Sequence, residues 1–194
     1  MTYTSVSGSL FKKMVINGAI NLKNDLKEID DLNVFPVPDG DTGTNMSMTM
    51  MSGVRDIQNS ESMSVTDISK ILSRGLLMGA RGNSGVILSQ LFRGFCKVVG
   101  EHDEIDVSVL CDAMQKAVET AYKAVMKPKE GTILTVAKGM SDKALLLNEE
   151  TDDLVYFCQE VIKEGDHVLS KTPEMLPVLK QAGVVDSGGQ GLME

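Results

Sequence analysis

The chain has 194 residues, of which 42% are hydrophobic and 24% charged, which excludes a disordered chain and suffices for one domain with a buried core. Its formal net charge of −8 leaves no surplus of Lys and Arg to replace the counterions of a nucleic acid, which argues against a nucleic-acid-binding protein. No apolar run approaches the roughly 20 residues that cross a bilayer, and the first residues lack a signal-peptide pattern, so we predict a cytoplasmic protein without membrane insertion.

Apolar residues recur at helical spacing along most of the chain. The first predicted helix, residues 9–29, has an apolar face built from steps of three and four residues. The same pattern predicts helices at residues 44–57, 66–78, 84–99, 107–126, 132–147, 152–169 and 173–181, the last of which contains Pro177. Alternating runs rich in β-branched residues are nearly missing, so the sequence predicts an all-α domain of about eight helices.

Residues 1–194 are expected to form a single domain. The sequence ends on GGQGLME, a Gly-rich turn after which we expect a further structural element. We therefore predict that the domain is a fragment of a longer, multidomain chain, which reading the parent open frame would test.

Residues 33–46, NVFPVPDGDTGTNM, interrupt the helical pattern. Two prolines exclude a helix in this segment, and Asp39 and Asp41 stand just before the next predicted helix. Ionised carboxylates this close repel each other and need a cation, and Mg²⁺ takes few protein ligands together with waters and substrate phosphates. The helix start offers N–H groups to a phosphate. The loop is thus predicted to bind a metal and a phosphate, the alternative being a turn with solvated aspartates.

Two further loops are rich in glycine: residues 79–85, GARGNSG, and residues 183–191, GVVDSGGQG. Glycines let backbone N–H groups approach a ligand closely, and Asn83 and Ser84 can cap the next helix. Arg81 could pair with a phosphate or with a carboxylate. Each loop alone could be an ordinary turn, but three such loops in one helical domain favour a ligand site. The EF-hand, Walker A and haloacid-dehalogenase patterns do not fit.

Together, the three motifs resemble the nucleotide-binding domain shared by dihydroxyacetone kinases and bacterial fatty acid kinases. The form PVPDGDTGTNM is most similar to the N-terminal domain of the ATP-binding subunit of fatty acid kinase. The resemblance implies an antiparallel barrel of eight helices with the nucleotide site at one end. It also implies that ATP or ADP binds there with its phosphates on two Mg²⁺ ions.

The resemblance also assigns roles to individual residues. Asp39 and Asp41 match the paired aspartates that hold the metal and serve catalysis, and Asn33 is the nearest counterpart of a further aspartate in the dihydroxyacetone kinases. Those kinases have a histidine where this chain has Thr42, which favours the fatty acid branch. Residues expected to face or support the nucleotide are Thr42, Gly43, Thr44, Asn45, Gly82, Asn83, Ser84, Asp186, Ser187, Gly188 and Gly189.

A fatty acid carboxylate is ionised at pH 7 and needs no general base, which suits loops that contain no His, Lys or Tyr. We therefore predict an ATP-dependent kinase domain that phosphorylates a fatty acid to an acyl phosphate. Because the sequence shows no apolar channel, the fatty acid is assigned to a separate fatty-acid-binding carrier protein. The full-length protein is a candidate homodimer.

Three alternatives stay open at this point. One is a dihydroxyacetone-type (glycerone) kinase or phosphotransfer subunit, whose alcohol acceptor would benefit from a base. The second is a nucleotide-binding module without turnover when isolated. The third is a helical interaction domain with acidic loops, for which calorimetry with ATP and Mg²⁺ would show no heat of binding.

Overall fold

The computed structural model describes residues 2–194, which form ten helices and one two-stranded ribbon. The prediction of an all-α fold is confirmed. The helices are α1 (Gly8–Asn24), α2 (Leu26–Asp31), α3 (Thr42–Gln58), α4 (Val65–Gly79), α5 (Gly82–Val99), α6 (Val107–Ala124), α7 (Ile133–Asn148), α8 (Leu154–Met175), α9 (Pro177–Ala182) and α10 (Ser187–Met193). The strands β1 (Val6–Ser7) and β2 (Glu104–Ile105) pair antiparallel.

Long helices that follow one another in the chain pack side by side, from α3 through α8, and α1 packs on α3. Short connections between such neighbours make them antiparallel, so alternate helices begin at the same end of the bundle. The core contains fully buried residues from helices far apart in the sequence, such as Met46 and Ile57 of α3, Leu72 and Leu76 of α4, and Phe157 of α8. These apolar stripes are the periodic faces that the sequence predicts.

The helix count is ten rather than eight for local reasons. The predicted helix 9–29 divides at Asp25, whose backbone leaves the helical region at φ −98° and ψ 3°. The predicted end at residue 169 is also wrong, because α8 continues through Pro173 to Met175. Proline lacks the N–H that would bond the carbonyl of Leu169, and the Thr172 hydroxyl donates to that carbonyl instead, at 2.7 Å.

The ribbon and α10 have no counterpart among the predicted elements. Each strand has two residues, too few for an alternating pattern, and Val6 pairs with Ile105 across a long stretch of chain. The α10 sequence, SGGQGLM, has a glycine content that argues against a helix. Helix α10 forms because it packs against α2, α3, α7 and α8.

An apolar cavity of about 400 Å³ lies within the bundle. Its lining comes from six long helices, α1, α3, α5, α6, α7 and α8, and includes Phe92, Phe95, Met114, Ala137 and Phe157. The expectation of no apolar channel is therefore corrected. The sequence could not show the cavity, because its lining residues are spread along the chain and are joined only by packing. Within residues 2–194, no helix combines the length and the apolar character that crossing a bilayer requires.

Candidate functional site

The starts of α3, α5 and α7 lie together at one end of the bundle, as the antiparallel order requires. Gly82, the first residue of α5, stands against the Asn45 side chain in the first turn of α3. Gly188 of α10 packs against Ile133, the first residue of α7. The structure thus brings all three Gly-rich or acidic loops of the sequence analysis to one end of the molecule.

Thr42 is the residue at which the three loops meet. The Ser84 hydroxyl, from the second loop, donates to the Thr42 carbonyl at 3.4 Å. The Ser187 hydroxyl, from the third loop, donates to the Thr42 hydroxyl at 3.2 Å. Thr42 and Ser187 are both buried. Their contact fixes the first turn of α3 relative to the other two loops.

The first loop is held in shape by Asn33. The Gly40 N–H donates to Asn33 Oδ1 at 3.1 Å, and Asn33 Nδ2 donates to the Val37 carbonyl at 3.2 Å. Gly40 has φ +65°, a left-handed conformation that favours glycine and that turns the chain between Asp39 and Asp41. Asn33 is buried and stabilises the turn. Its predicted role as a metal ligand stays a prediction.

Asp39 is exposed and Asp41 is half-buried. Asp41 directly precedes α3, yet its carboxylate makes no capping bond to that helix. In the described part of the chain, residues 2–194, neither carboxylate belongs to an ion pair. Both acidic side chains thus remain available to a cation.

The two helices that begin at the first two loops differ from the long helices that start at the opposite end of the bundle. Neither Asp41 before α3 nor Arg81 before α5 makes a side-chain capping bond in the described residues. The long helices that start at the opposite end are each capped by the residue before them, namely Ser7, Ser64, Asp106 and Asp153. In α3 the Thr44 N–H is bound by Asp30 instead, whereas the start of α5 has no side-chain cap in the part of the chain that the structure describes. N–H groups left free at a helix start, with its partial positive charge, suit a phosphate.

The second loop approaches α3 closely because it contains glycine. Gly82 has φ +59°, and a Cβ there would lie 2.4 Å from Asn45 Nδ2. Gly82 and Asn83 are exposed and Ser84 is half-buried, so this loop presents backbone to solvent at the start of α5. The Arg81 N–H donates to the Thr49 hydroxyl at 3.2 Å, while the Arg81 side chain is exposed.

Asp186 in the third loop is buried and supports two helix starts. Its carboxylate accepts from the Gly189 N–H at 2.7 Å and from the Ile133 N–H, and its own N–H donates to the Thr172 hydroxyl at 3.1 Å. Burial raises the pKa of Asp186 to about 6, against the lowering effect of the two backbone N–H groups. Residues 186–189 of the third loop are buried, and their predicted contact with a nucleotide stays a prediction.

A neighbouring segment was missed by the sequence analysis. Gly131, at φ +83°, packs against Met175 and Leu176 just before α7 begins. The loop before it carries two exposed cations, Lys127 and Lys129, at the end of the bundle where the three loops lie. The signal available in the sequence was the pair Gly131–Thr132 ahead of an apolar run, which is a typical helix start.

The donor set fits a metal that shares its ligands with phosphates. Within residues 2–194, no group of three or more His, Cys, Asp or Glu side chains is arranged around a common metal position. Mg²⁺ needs only one or two carboxylates when phosphate oxygens and waters complete its shell. Asp39 and Asp41, in the loop that leads into α3, can supply such a site.

Comparison with known proteins identifies similar chains. The family model of the DAK2 domain matches residues 36–194. An uncharacterized protein of Staphylococcus haemolyticus is 55% identical over 190 residues, covering 98% of this chain and 34% of the relative. An uncharacterized protein of Staphylococcus aureus strain USA300 is 53% identical over 190 residues, covering 98% and 35%. The chain therefore spans about a third of the length of these relatives.

The fold also resembles a solved structure. The dihydroxyacetone kinase from C. freundii, crystallised in complex with AMP-PNP and Mg²⁺, superposes with a TM-score of 0.71 over 98% of this chain and 33% of that chain. The sequence identity is 15%, so this likeness shows the fold alone.

Proposed function

The chain belongs to the DAK2 domain family, and from this premise we propose that it binds Mg-ATP and serves as the phosphoryl-donor domain of a kinase. The observation that carries the proposal is the convergence of three loops on Thr42 at the starts of α3 and α5, neither of which is capped by the residue before it. The fold likeness to a kinase crystallised with AMP-PNP and Mg²⁺ agrees with it.

In this proposal, different groups of the site bind the cation and the phosphates. Asp39 and Asp41 hold Mg²⁺, of which we propose two ions, while N–H groups at the starts of α3 and α5 bind phosphate oxygens. Bound Mg²⁺ neutralises charge on the phosphates. Because phosphoryl transfer depends mainly on positioning and charge neutralisation, a loop set with little covalent chemistry of its own suffices.

For the acceptor we propose a fatty acid carboxylate. Its oxygen attacks the γ-phosphorus, the bond from phosphorus to the ADP oxygen breaks, and acyl phosphate and ADP form. The support is the PVPDGDTGTNM motif and the environment of Thr42, which is buried and bonded to Ser187. That position holds the loops together and offers no base, and an ionised carboxylate needs none.

A carrier protein that delivers the fatty acid belongs to the same proposal. The apolar cavity removes the original reason for assigning the acyl chain to a partner, so this assignment rests on the motif resemblance. The whole protein, about three times as long as this chain in the relatives, would supply the docking surface and any homodimer contact. We propose a cytoplasmic location on the same basis.

The second candidate is a dihydroxyacetone-type kinase or phosphotransfer subunit. The fold likeness to dihydroxyacetone kinase favours it. Phosphate transfer from ATP to a long-chain fatty acid, compared with transfer to dihydroxyacetone, separates the two candidates when the full-length protein and its carrier are used.

Calorimetric titration of ATP in the presence of Mg²⁺ tests the shared premise. We expect binding by the wild type and by Asp31→Asn, which changes an exposed aspartate on α2, and loss of binding in Asp41→Asn. Circular dichroism establishes that each variant is folded. A folded Asp41→Asn variant that binds Mg-ATP as tightly as the wild type would contradict the role given to Asp41.

A further inference from the structure

We propose that Asp30 is a positioning residue that keeps the Asp41 carboxylate free for the cation, an inference that rests on the proposed function. Asp30 lies outside the three motifs, on the short helix α2, and no role follows for it from the sequence pattern. The argument depends on where its two carboxylate oxygens go.

Both oxygens of Asp30 accept hydrogen bonds from Thr44, in the first turn of α3. The Thr44 N–H donates to Asp30 Oδ1 at 3.0 Å, and the Thr44 hydroxyl donates to Asp30 Oδ2 at 2.7 Å. Asp30 is half-buried, and hydrogen bonds to an ionised carboxylate are stronger than neutral ones. These two bonds close the acidic loop by joining the helix before it to the helix after it.

The N–H that Asp30 takes is the one that a capping residue normally binds. In α1, α4 and α6, the residue before the helix bonds the N–H of the third helical residue, as Ser64 does to Asp67 at 3.0 Å. Thr44 is the third residue of α3, and its N–H goes to Asp30 instead. Aspartate is among the strongest capping residues, so without Asp30 the Asp41 side chain would turn to this N–H.

The surrounding packing keeps Asp30 in place. A Cβ on Gly43 would lie 2.2 Å from the Leu26 carbonyl, so α2 rests directly on the first turn of α3. Ile29, next to Asp30, is completely buried. Asp30 thus occupies a fixed position. Its two bonds to Thr44 are already formed before any ligand binds.

The test measures how nucleotide binding depends on free Mg²⁺, using calorimetry with a non-hydrolysable ATP analogue. Asp30→Ala should raise the Mg²⁺ concentration for half-maximal binding about tenfold, because Asp41 is diverted to cap α3. Asp30→Asn should return to within about threefold of the wild type, because its amide can accept from the Thr44 N–H and donate to the Thr44 hydroxyl. Asp31→Ala, at the exposed neighbour on the same helix, should match the wild type.

Each outcome decides between the alternatives. If Asp30→Ala lowers thermal stability but leaves the Mg²⁺ dependence unchanged, Asp30 is merely structural and the inference is wrong. If Asp30→Asn is as weak as Asp30→Ala, the charge of Asp30 acts directly and the positioning role is wrong. A wild type that does not bind Mg-nucleotide overturns the proposed function itself. Should Asp30→Ala not fold, Thr44→Val removes the hydroxyl bond and leaves Asp30 held by the Thr44 N–H alone. Asp41 can then compete for that N–H, so a smaller shift of the Mg²⁺ dependence, about threefold, is expected.

Discussion

At the scale of single residues, Thr42 joins loops that are far apart in the sequence. Its hydroxyl accepts from Ser187 and its carbonyl accepts from Ser84. The hydroxyl contact is buried, and a buried donor that loses its acceptor has no water to replace it. The site therefore depends on a hydroxyl group that the sequence alone gives no reason to single out for structure.

Thr42→Val should lower the free energy of unfolding by about 1–3 kcal/mol, because the Ser187 hydroxyl is left buried without its acceptor. Thr42→Ser keeps the hydroxyl and should stay within about 1 kcal/mol of the wild type. Urea unfolding followed by circular dichroism measures both. Equal stability of Thr42→Val and the wild type would show that the Ser187 contact contributes nothing.

Asp186 gives a second residue-scale prediction, on pH. Burial raises the pKa of Asp186 from 3.8 to about 6 in the folded protein, so between these values the folded state holds a proton that the unfolded state has released. The free energy of unfolding should therefore fall as pH rises through this window, by about 3 kcal/mol from this group.

The comparison of Asp186→Asn with the wild type isolates that contribution. Urea unfolding at pH 4.0 to 7.0 should show that the difference in unfolding free energy between variant and wild type changes with pH, in favour of the variant as pH rises. The exposed Asp152→Asn variant serves as the control and should follow the wild type. A pH-independent difference for Asp186→Asn would refute the raised pKa.

At the scale of secondary structure elements, the junction of α2 and α3 depends on a missing side chain. A Cβ on Gly43 would clash with the Leu26 carbonyl at 2.2 Å, whereas a Cβ on Gly18 in α1 would have no heavy atom within 4 Å. The two glycines thus form a matched pair, one required by packing and the other not.

Gly43→Ala should destabilise the fold by about 1–3 kcal/mol, because α2 must move away from the first turn of α3. Gly18→Ala should stabilise it by about 0.5–1 kcal/mol, since alanine is the better helix former. Thermal unfolding of both variants measures the effects. The reverse order of melting temperatures would contradict the packing described here.

Elements differed in how well the sequence predicted them. Long amphipathic helices such as α4 and α6 were predicted within a few residues, because an apolar stripe repeats over several turns. The short elements α10 and the β1–β2 ribbon were not, since they form through contacts with distant segments. The candidate site shows the same difference between local and distant contacts. The Pro, Gly and Asp residues of one short segment predicted the Asp39–Asp41 loop, whereas the Asp30–Thr44 bonds exist only through tertiary packing.

At the scale of the whole molecule, the net charge of −8 bears on the form of the ligand. Free ATP is itself an anion and would meet acidic side chains at the site, whereas Mg²⁺ neutralises much of its charge. Binding should therefore require the metal. Because a ligand that binds only the folded state stabilises it by mass action, thermal unfolding reports the requirement directly.

We expect Mg-ATP at about 100 times its dissociation constant to stabilise the fold by about 2.7 kcal/mol, which raises the melting temperature by roughly 5–10 °C in a chain of this size. ATP with EDTA should give little change, and Asp41→Asn should not respond to either mixture. A similar shift with and without Mg²⁺ would mean that the nucleotide binds without using the acidic loop.

The contact between Ser187 and Thr42 joins positions 145 residues apart, which has a consequence for biosynthesis. Contacts of such large sequence separation form late, because the intervening chain must first be made and ordered. A nascent chain on the ribosome would thus pack its early helices while this face of the nucleotide site is still missing. Nucleotide affinity should therefore arise abruptly once α10 has left the exit tunnel, rather than growing with the length already translated.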